Sequence, residues 1–398
     1  MAATTRVIWD DDFTAYDFGE GHPMTPLRLE LTARLCESFG LFDRPGVEVV
    51  SPGEASDDLL ATVHEPAYIA AVKEAGLDPS RADPSRGIGT EDDPAFLHMH
   101  EASARVVEGT RLICEGVWRG ETLHGVNFCG GLHHAMRDRA SGFCIYNDIA
   151  VGIQWLLDNG AERVAYVDVD VHHGDGVESI FWDDPRVLTV SVHENGRILF
   201  PGTGWPADIG GEGAEGTAIN VALPPGVTDS AWLRAITSVA DPLVRAFRPD
   251  IIVSQHGCDT HLDDPLAHLA VTVDAQRQAA EAMHQLSHEI CAGRWVALGG
   301  GGYEAVDVVP RTWTHLTAIA AHAPIDPAEE TPAQWREYVM RRTGRPGPRR
   351  MGDVPPAGLP IWVQPWSMGY NPESPTDRAI LAAREATFAH HGLDHHFD

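Results

Sequence analysis

Residues Ala165–Gly176 read AYVDVDVHHGDG, an apolar run that ends in Asp168, Asp170, His172, His173 and Asp175. Alternate side chains of a strand share a face, so Asp168, Asp170 and His172 are expected to point the same way. Ionisable groups on a buried strand are costly unless a metal or a hydrogen-bond network satisfies them. An Asp-x-His pair joined by a third carboxylate makes a mixed oxygen–nitrogen site with an open position. The competing reading is a buried salt-linked network. It is disfavoured because so many charges in one apolar strand demand compensation. A second apolar run ends in Gln255-His256-Gly257-Cys258-Asp259, and Asp259 is the natural third ligand. Alternation turns Cys258 away from that face.

Two more clusters complete a set of reacting groups. Gly130-Gly131-Leu132-His133-His134 places adjacent histidines after a glycine turn. One histidine can hold or accept a proton near neutral pH while the other tunes it. Asp168 and Asp175 are spare carboxylates that could orient them. Standing alone, the pair would more often be two surface histidines. Gly299-Gly300-Gly301-Gly302-Tyr303 allows close backbone approach, and its tyrosine can donate to an oxyanion. No Lys-Ser/Thr follows the glycines, which excludes a phosphate loop of the Walker kind. The assembled chemistry is hydrolysis of an amide. A metal polarises the carbonyl and acidifies water, a histidine moves the proton, and Tyr303 holds the oxyanion.

Such groups need a frame that converges on them. The apolar runs Arg163–Asp168, Val187–His193, Asp250–Gly257 and Trp295–Gly302 read as buried parallel strands. Helical patterns lie between them. Leu97–Gly116 has helical spacing, and Asp148–Asp158 follows a capping Asn147 and stops before Asn159-Gly160. Ser230–Phe247 contains Pro242 and reads as kinked or as two helices, and Gln276–Cys291 is a further helix. Alternating elements imply a layered α/β domain with its ligands at the carboxyl ends of the strands, where the polar clusters sit. The expected division is a catalytic domain over 1–324 and a partly disordered extension over 325–398 that wraps it.

The chain has 398 residues, with 29 Lys plus Arg against 58 Asp plus Glu, and its acidity argues against nucleic acid or an anionic membrane as a direct partner. Cys36, Cys114, Cys129, Cys144, Cys258 and Cys291 form no Cys-x-x-Cys pair and read as reduced thiols of a cytoplasmic protein. There is no signal-like N-terminus and no run long enough to span a membrane. Oligomeric state is not readable. The pairs His390-His391 and His395-His396 read first as a mobile polar tail and second as an adventitious metal binder.

The ordered motifs also carry a resemblance. Besides the four clusters they include GHPMTPLR (Gly21–Arg28), HEPAYI (His64–Ile69), EDDPAF (Glu91–Phe96), SGFCIYND (Ser141–Asp148) and FPGTG (Phe200–Gly204). From about Tyr16 to Leu316 the chain resembles the histone deacetylase superfamily, and within it the bacterial acetoin-utilisation deacetylases. The resemblance implies the three-layer α/β/α arginase–deacetylase fold with a central, mostly parallel sheet. It implies Asp170, His172 and Asp259 as ligands of Zn²⁺, with Fe²⁺ as an alternative. His134 would be general base and acid, His133 its electrostatic partner, Asp175 and Asp168 their respective orienting groups, and Tyr303 the oxyanion donor. Phe143 and Phe200, with Gly142, Gly301 and Leu266, would line a tunnel for an acyl-lysine stem, and Asp92 would grip substrate backbone at the rim. Arg28 would sit in an internal channel for acetate release, and K⁺ would bind near Asp168, Asp170, His172, Ser191 and Val192.

Where relatives hold an inositol phosphate with a corepressor through basic residues, this chain has Thr25, Pro265 and Val306, so that regulation is not expected. Leu266 stands where polyamine-specific relatives carry a gatekeeper glutamate, and Asp259-Thr260-His261 lacks the Asp-x-Asp of two-manganese arginases. His261 reads as a rim residue without a firm role. The resemblance implies an acetylated protein substrate, with acetyl-CoA synthetase as one bacterial example. The alternative is an acetylpolyamine or other small acetyl-amide. A catalytically dead binding module would lack a ligand or Tyr303, and all are present.

Overall fold

The computed structural model describes residues 4–353 and 360–398. Its strands are β1 (Thr5–Ile8), β2 (Val47–Val50), β3 (His124–Asn127), β4 (Val164–Asp168), β5 (Val187–Glu194), β6 (Ala218–Leu223), β7 (Ile251–Gln255) and β8 (Trp295–Leu298). They form one sheet in the order β2-β1-β3-β8-β7-β4-β5-β6. Every pairing is parallel, so the sheet is parallel throughout rather than mostly so. All residues of β3, β4, β5, β7 and β8 are buried, as a sheet covered on both faces requires. The edge strand β2 exposes Glu48, which pairs with Arg6 of β1 at 2.8 Å. The other edge, β6, packs against the helix Pro375–Thr387.

The chemistry-bearing loops follow β3, β4, β7 and β8, four strands adjacent in the sheet. Adjacency brings His133, Asp170, Asp259 and Tyr303 to one edge although they are far apart in sequence. The four expected strands are present, three with trimmed ends and β5 one residue longer than expected. β4 stops at Asp168, so Asp170 and His172 stand on the loop beyond it, where strand alternation no longer fixes their direction. β1, β2, β3 and β6 were not among the expected strands. β3 reads HGVN, with one β-branched residue, and is held by pairing to β1 and β8 rather than by its own propensity.

The expected helices form over Met99–Trp118, Asp148–Asp158 and Val273–Ile290, and Asn147 caps the second through Ala150 N–H at 2.9 Å. Around Pro242 the chain runs as the helix Asp229–Ala235, a π turn Ile236–Ala240 and the helix Asp241–Phe247. Pro242 has no N–H to give to the Ser238 carbonyl one turn back. That carbonyl accepts instead from Arg384, on the helix Pro375–Thr387.

The C-terminal extension is more ordered than expected. Its helix Ala333–Thr343 buries Trp335 and Val339 against Leu31 and Leu35 of the helix Leu27–Ser38. Arg234 pairs with Asp377 at 3.1 Å in a nearly buried ion pair, and Trp366 lies beneath both Arg234 and Arg384. The first of the two histidine pairs is docked on the domain rather than trailing from it. Phe388 is fully buried, and His391 Nε2 lies 2.7 Å from the Gly216 carbonyl. Residues 354–359 of the extension lie outside the described residues.

Candidate active site

His172 Nδ1 lies 3.1 Å from both Asp170 Oδ1 and Asp259 Oδ2, and the three residues bring their ligand atoms within 4.8 Å of one another. The remaining carboxylate oxygens are tied back. Asp170 Oδ2 accepts from Gln255 Nε2 at 2.7 Å and Gly301 N–H at 2.8 Å, and Asp259 Oδ1 accepts from Val171 N–H at 2.9 Å. Backbone must come this close, because a Cβ on Gly301 would lie 2.0 Å from Asp259 Oδ2. On Gly257 it would lie 2.0 Å from Asp170 Oδ2. All three groups are buried, and burial followed by the charge of Asp170 raises Asp259 above the ordinary carboxylate range. Two carboxylates forced together in a low dielectric, with one imidazole beside them, are relieved by a divalent cation. The residues present therefore fit a metal.

The adjacent histidines each have a carboxylate. His133 Nδ1 lies 2.7 Å from Asp168 Oδ2, His134 Nδ1 lies 2.6 Å from Asp175 Oδ1, and the two Nε2 atoms are 3.0 Å apart. Burial works against charge on His133, but Asp168 and Asp170 outweigh it and lift it to about 9. Burial and then the charge of His133 push His134 down to about 4. Near neutral pH, His133 thus carries two protons and His134 one. With Nδ1–H of His134 on Asp175, its Nε2 carries the only lone pair of the two rings, and it faces His133 Nε2–H at 3.0 Å.

Above these groups opens a pocket of about 200 Å³ lined by Asp92, His134, Gly142, Phe143, His172, Leu199, Phe200, Leu266 and Tyr303. Asp92 is exposed at its mouth. Phe143 has φ 67° and is fixed through its carbonyl, which accepts from Tyr16 Oη–H at 2.9 Å. A Cβ on Gly142 would sit 2.5 Å from His134 Cδ2 and 2.8 Å from Phe200 Cε1, so this wall has no room for a side chain. Gly301 lies deeper, in a small void shared with His133, His134, Leu132, Met24 and Tyr303. Met24 and Leu132 also line a neighbouring void with Arg28. Arg28 is buried, donates to the Gly300 carbonyl at 2.7 Å and stacks on Trp313. Burial, then the charges of Asp259 and Asp170, push the Tyr303 phenol well up, so it keeps its proton. Ser191 pairs across the sheet with Asp168, and its Oγ lies 2.8 Å from His193 Nδ1. Val192 is buried on the same strand.

Several contributors carried no role in the sequence reading. Asp148 receives Gly131 N–H at 3.0 Å and Leu132 N–H at 2.8 Å, which anchors the histidine loop. Tyr166 Oη–H donates to Asp168 Oδ2 at 2.6 Å, and strand alternation, which puts both on one face, was a legible signal. Leu199 and His22 had no such signal. His22 packs its ring 4.6 Å from that of Phe143. His261 is not a rim residue. It is buried and pairs with Asp353 at 2.9 Å, and Asp353 also binds Arg311 at 2.7 Å.

The histone deacetylase domain matches residues 22–320, and the chain belongs to that family. It is 42% identical over 330 residues to the acetoin utilization protein AcuC of Bacillus subtilis (strain 168), covering 82% of this chain and 84% of that protein. It is 36% identical over 354 residues to the AcuC protein of Staphylococcus aureus (strain MSSA476), covering 88% and 90%. To that of Staphylococcus xylosus it is 35% identical over 338 residues, covering 84% and 87%. Among the described residues no helix is long and apolar enough to cross a membrane.

Proposed function

We propose that the chain is a metal-dependent amide hydrolase that removes acetyl groups from the side-chain nitrogen of lysine on proteins. The observation that carries this reading is the histidine pair, each ring held by its own carboxylate, at the floor of an aromatic-walled pocket beside Asp170, His172 and Asp259. These three residues would hold Zn²⁺, with Fe²⁺ compatible with the same donors. When bound, the ion would polarise the amide carbonyl and acidify a water.

The chain's own residues do the rest. His134 Nε2 takes the proton of the attacking water and delivers it to the leaving amine nitrogen. His133, charged against Asp168, keeps His134 a weak base, able to release that proton again. Tyr303 donates its retained proton as a hydrogen bond to the carbonyl oxygen while negative charge develops there. Phe143 and Phe200 flank four methylenes of a lysine stem, and Leu266 adds an apolar side chain, not a carboxylate, to the pocket wall. Asp92 holds backbone N–H groups of the substrate at the rim. Arg28 and the voids beside it receive acetate. K⁺ near Asp168, Asp170, His172, Ser191 and Val192 would brace the β4 and β5 ends. The bacterial relatives' name, acetoin utilization protein, supports a role in acetoin use; we propose in addition a cytoplasmic location and acetyl-CoA synthetase of acetate metabolism as one acetylated substrate.

Acetate release from an acetyl-lysine peptide and from N-acetylputrescine, measured in parallel on zinc-loaded and chelator-treated protein, tests the reading. Metal-dependent turnover of the peptide is the expected result. Turnover of the polyamine alone would replace protein lysine with a small-molecule substrate.

A further inference from the structure

The amino-terminal end of the sheet carries a second histidine cluster that the proposed reaction does not use. His124 opens β3, beside Trp295 at the start of β8. His284 and His288 stand one turn apart on the helix Val273–Ile290. His322 follows the helix Val309–Ala320 with φ 51°. One ring nitrogen from each of the four lies within 4.8 Å of the others. The Nε2 atoms of His124 and His288 are 3.1 Å apart, and those of His288 and His284 are 3.2 Å apart. The His322 ring centroid lies 4.7 Å from that of His124 and 5.0 Å from that of His284.

Hydrogen bonding does not satisfy this arrangement. His124 Nδ1 faces the Ala320 carbonyl at 2.7 Å and must donate to it, so a neutral His124 presents a lone pair at Nε2. His288 Nε2 has one in-plane site but faces two nitrogens, so it makes one good hydrogen bond of its two short contacts. A cation at the centre takes every lone pair at once. In a tetrahedral zinc site with bonds of about 2.0–2.1 Å, ligand nitrogens sit about 3.3 Å apart. The two Nε2 spacings, 3.1 and 3.2 Å, come close to that, and all four nitrogens lie within 4.8 Å of one another. The Nδ1–H to carbonyl bond of His124 also matches the usual support of a metal-bound imidazole, since it fixes the tautomer and raises basicity. Burial, and then the neighbouring imidazoles, hold His124 near 3 and His284 near 4, so both rings are neutral and available at neutral pH. His288 and His322 are exposed, which gives an ion a route in.

We propose that His124, His284, His288 and His322 form a second metal site. It is all-imidazole and suited to a late first-row divalent ion such as zinc or copper. It lies at the opposite end of the strands from Asp170, His172 and Asp259, and it ties the helix Val273–Ile290 to β3 and to the chain after Ala320.

Zinc alone serves as the probe, on full-length protein stripped with a chelator and dialysed against a buffered micromolar zinc solution. Asp259→Ala removes the other site and isolates this one. That variant should retain one zinc per chain by elemental analysis, and zinc should raise its melting temperature. Adding His284→Ala and His288→Ala should eliminate that zinc. His322→Ala, at an exposed position, should weaken zinc by more than the about tenfold to hundredfold that loss of a supporting group costs. Melting in chelator, unchanged by these substitutions, establishes that the variants fold. If Asp259→Ala protein holds no zinc, or holds as much after the histidines are removed, the second site is overturned. In the otherwise unaltered chain, the His284→Ala/His288→Ala pair should leave acetate release unchanged, so failure here and failure of the deacetylase reading are distinguishable.

Discussion

The two ends of this one sheet hold histidines in opposite ways. At the carboxyl ends, His133, His134 and His172 each face a carboxylate within 3.1 Å. At the amino ends, His124 faces a backbone carbonyl and His284 and His288 face other imidazoles. The first arrangement polarises: it splits His133 to about 9 and His134 to about 4, which separates an acid from a base. Among the described residues no carboxylate pairs with the second group, and burial holds His124 and His284 neutral. One end of the fold is thus built to move a proton, and the other only to present lone pairs.

The largest expected break in this contrast is Asp259→Ala. It removes one oxygen donor of the three-residue group and leaves the other end untouched. Acetate release should fall to background and the carboxyl-end metal should be lost. Full retention of two zinc ions per chain by elemental analysis would sink the ligand assignment. Next comes Tyr303→Phe, which keeps the ring against Phe143 and removes only the donor. Turnover should drop on the order of a hundredfold or more while zinc content stays the same. Unchanged kcat would remove Tyr303 from the reaction. Gly142→Ala follows. The added methyl enters the slot between His134 and Phe200, and displacement of the His134 ring from the reacting position should lower kcat/KM by about tenfold to a hundredfold. Wild-type kinetics for this variant would mean that substrate does not pass between those rings.

The carboxyl end was far more legible in sequence than the amino end. Asp170, His172 and Asp259 follow apolar strands, and ionisable groups there demand an explanation from spacing alone. His133 and His134 announced themselves by adjacency after glycines. The residues that support them were quieter. Asp148 looks like the first residue of an ordinary helix, and only the folded loop reveals that it holds Gly131 and Leu132. Among the amino-end histidines only the i,i+4 pair His284 and His288 left a local signal. His124, His284 and His322 are spread over about half the chain, and only His284 and His288 share a helical face. Their meeting depends on β3 pairing with β8, and β3 itself is too short and too poor in β-branched residues to be read from HGVN. A site is legible when its residues break a local pattern, and hidden when only the tertiary fold brings them together.

The smallest expected effect sharpens the contrast through pH, in metal-free protein. His133 is raised from about 6.5 to about 9 on folding. Its contribution is present below about pH 6.5 and is lost as pH rises through about 9. His124 and His284 are lowered to about 3 and about 4. Their contribution is present above about pH 6.5 and is lost as pH falls toward those values. His64, near 4, and His256 and His315, near 3, lose stability in the same acid window, mainly because burial disfavours their charge. Removing His284 and His288 should therefore flatten the acid limb only in part, and should leave the alkaline limb as it was. Denaturant midpoints taken with chelator at about pH 8, 6.5 and 5 on both proteins measure this. An acid limb equally steep in the two would mean that the amino-end rings titrate freely, and that burial at that end does not hold them neutral.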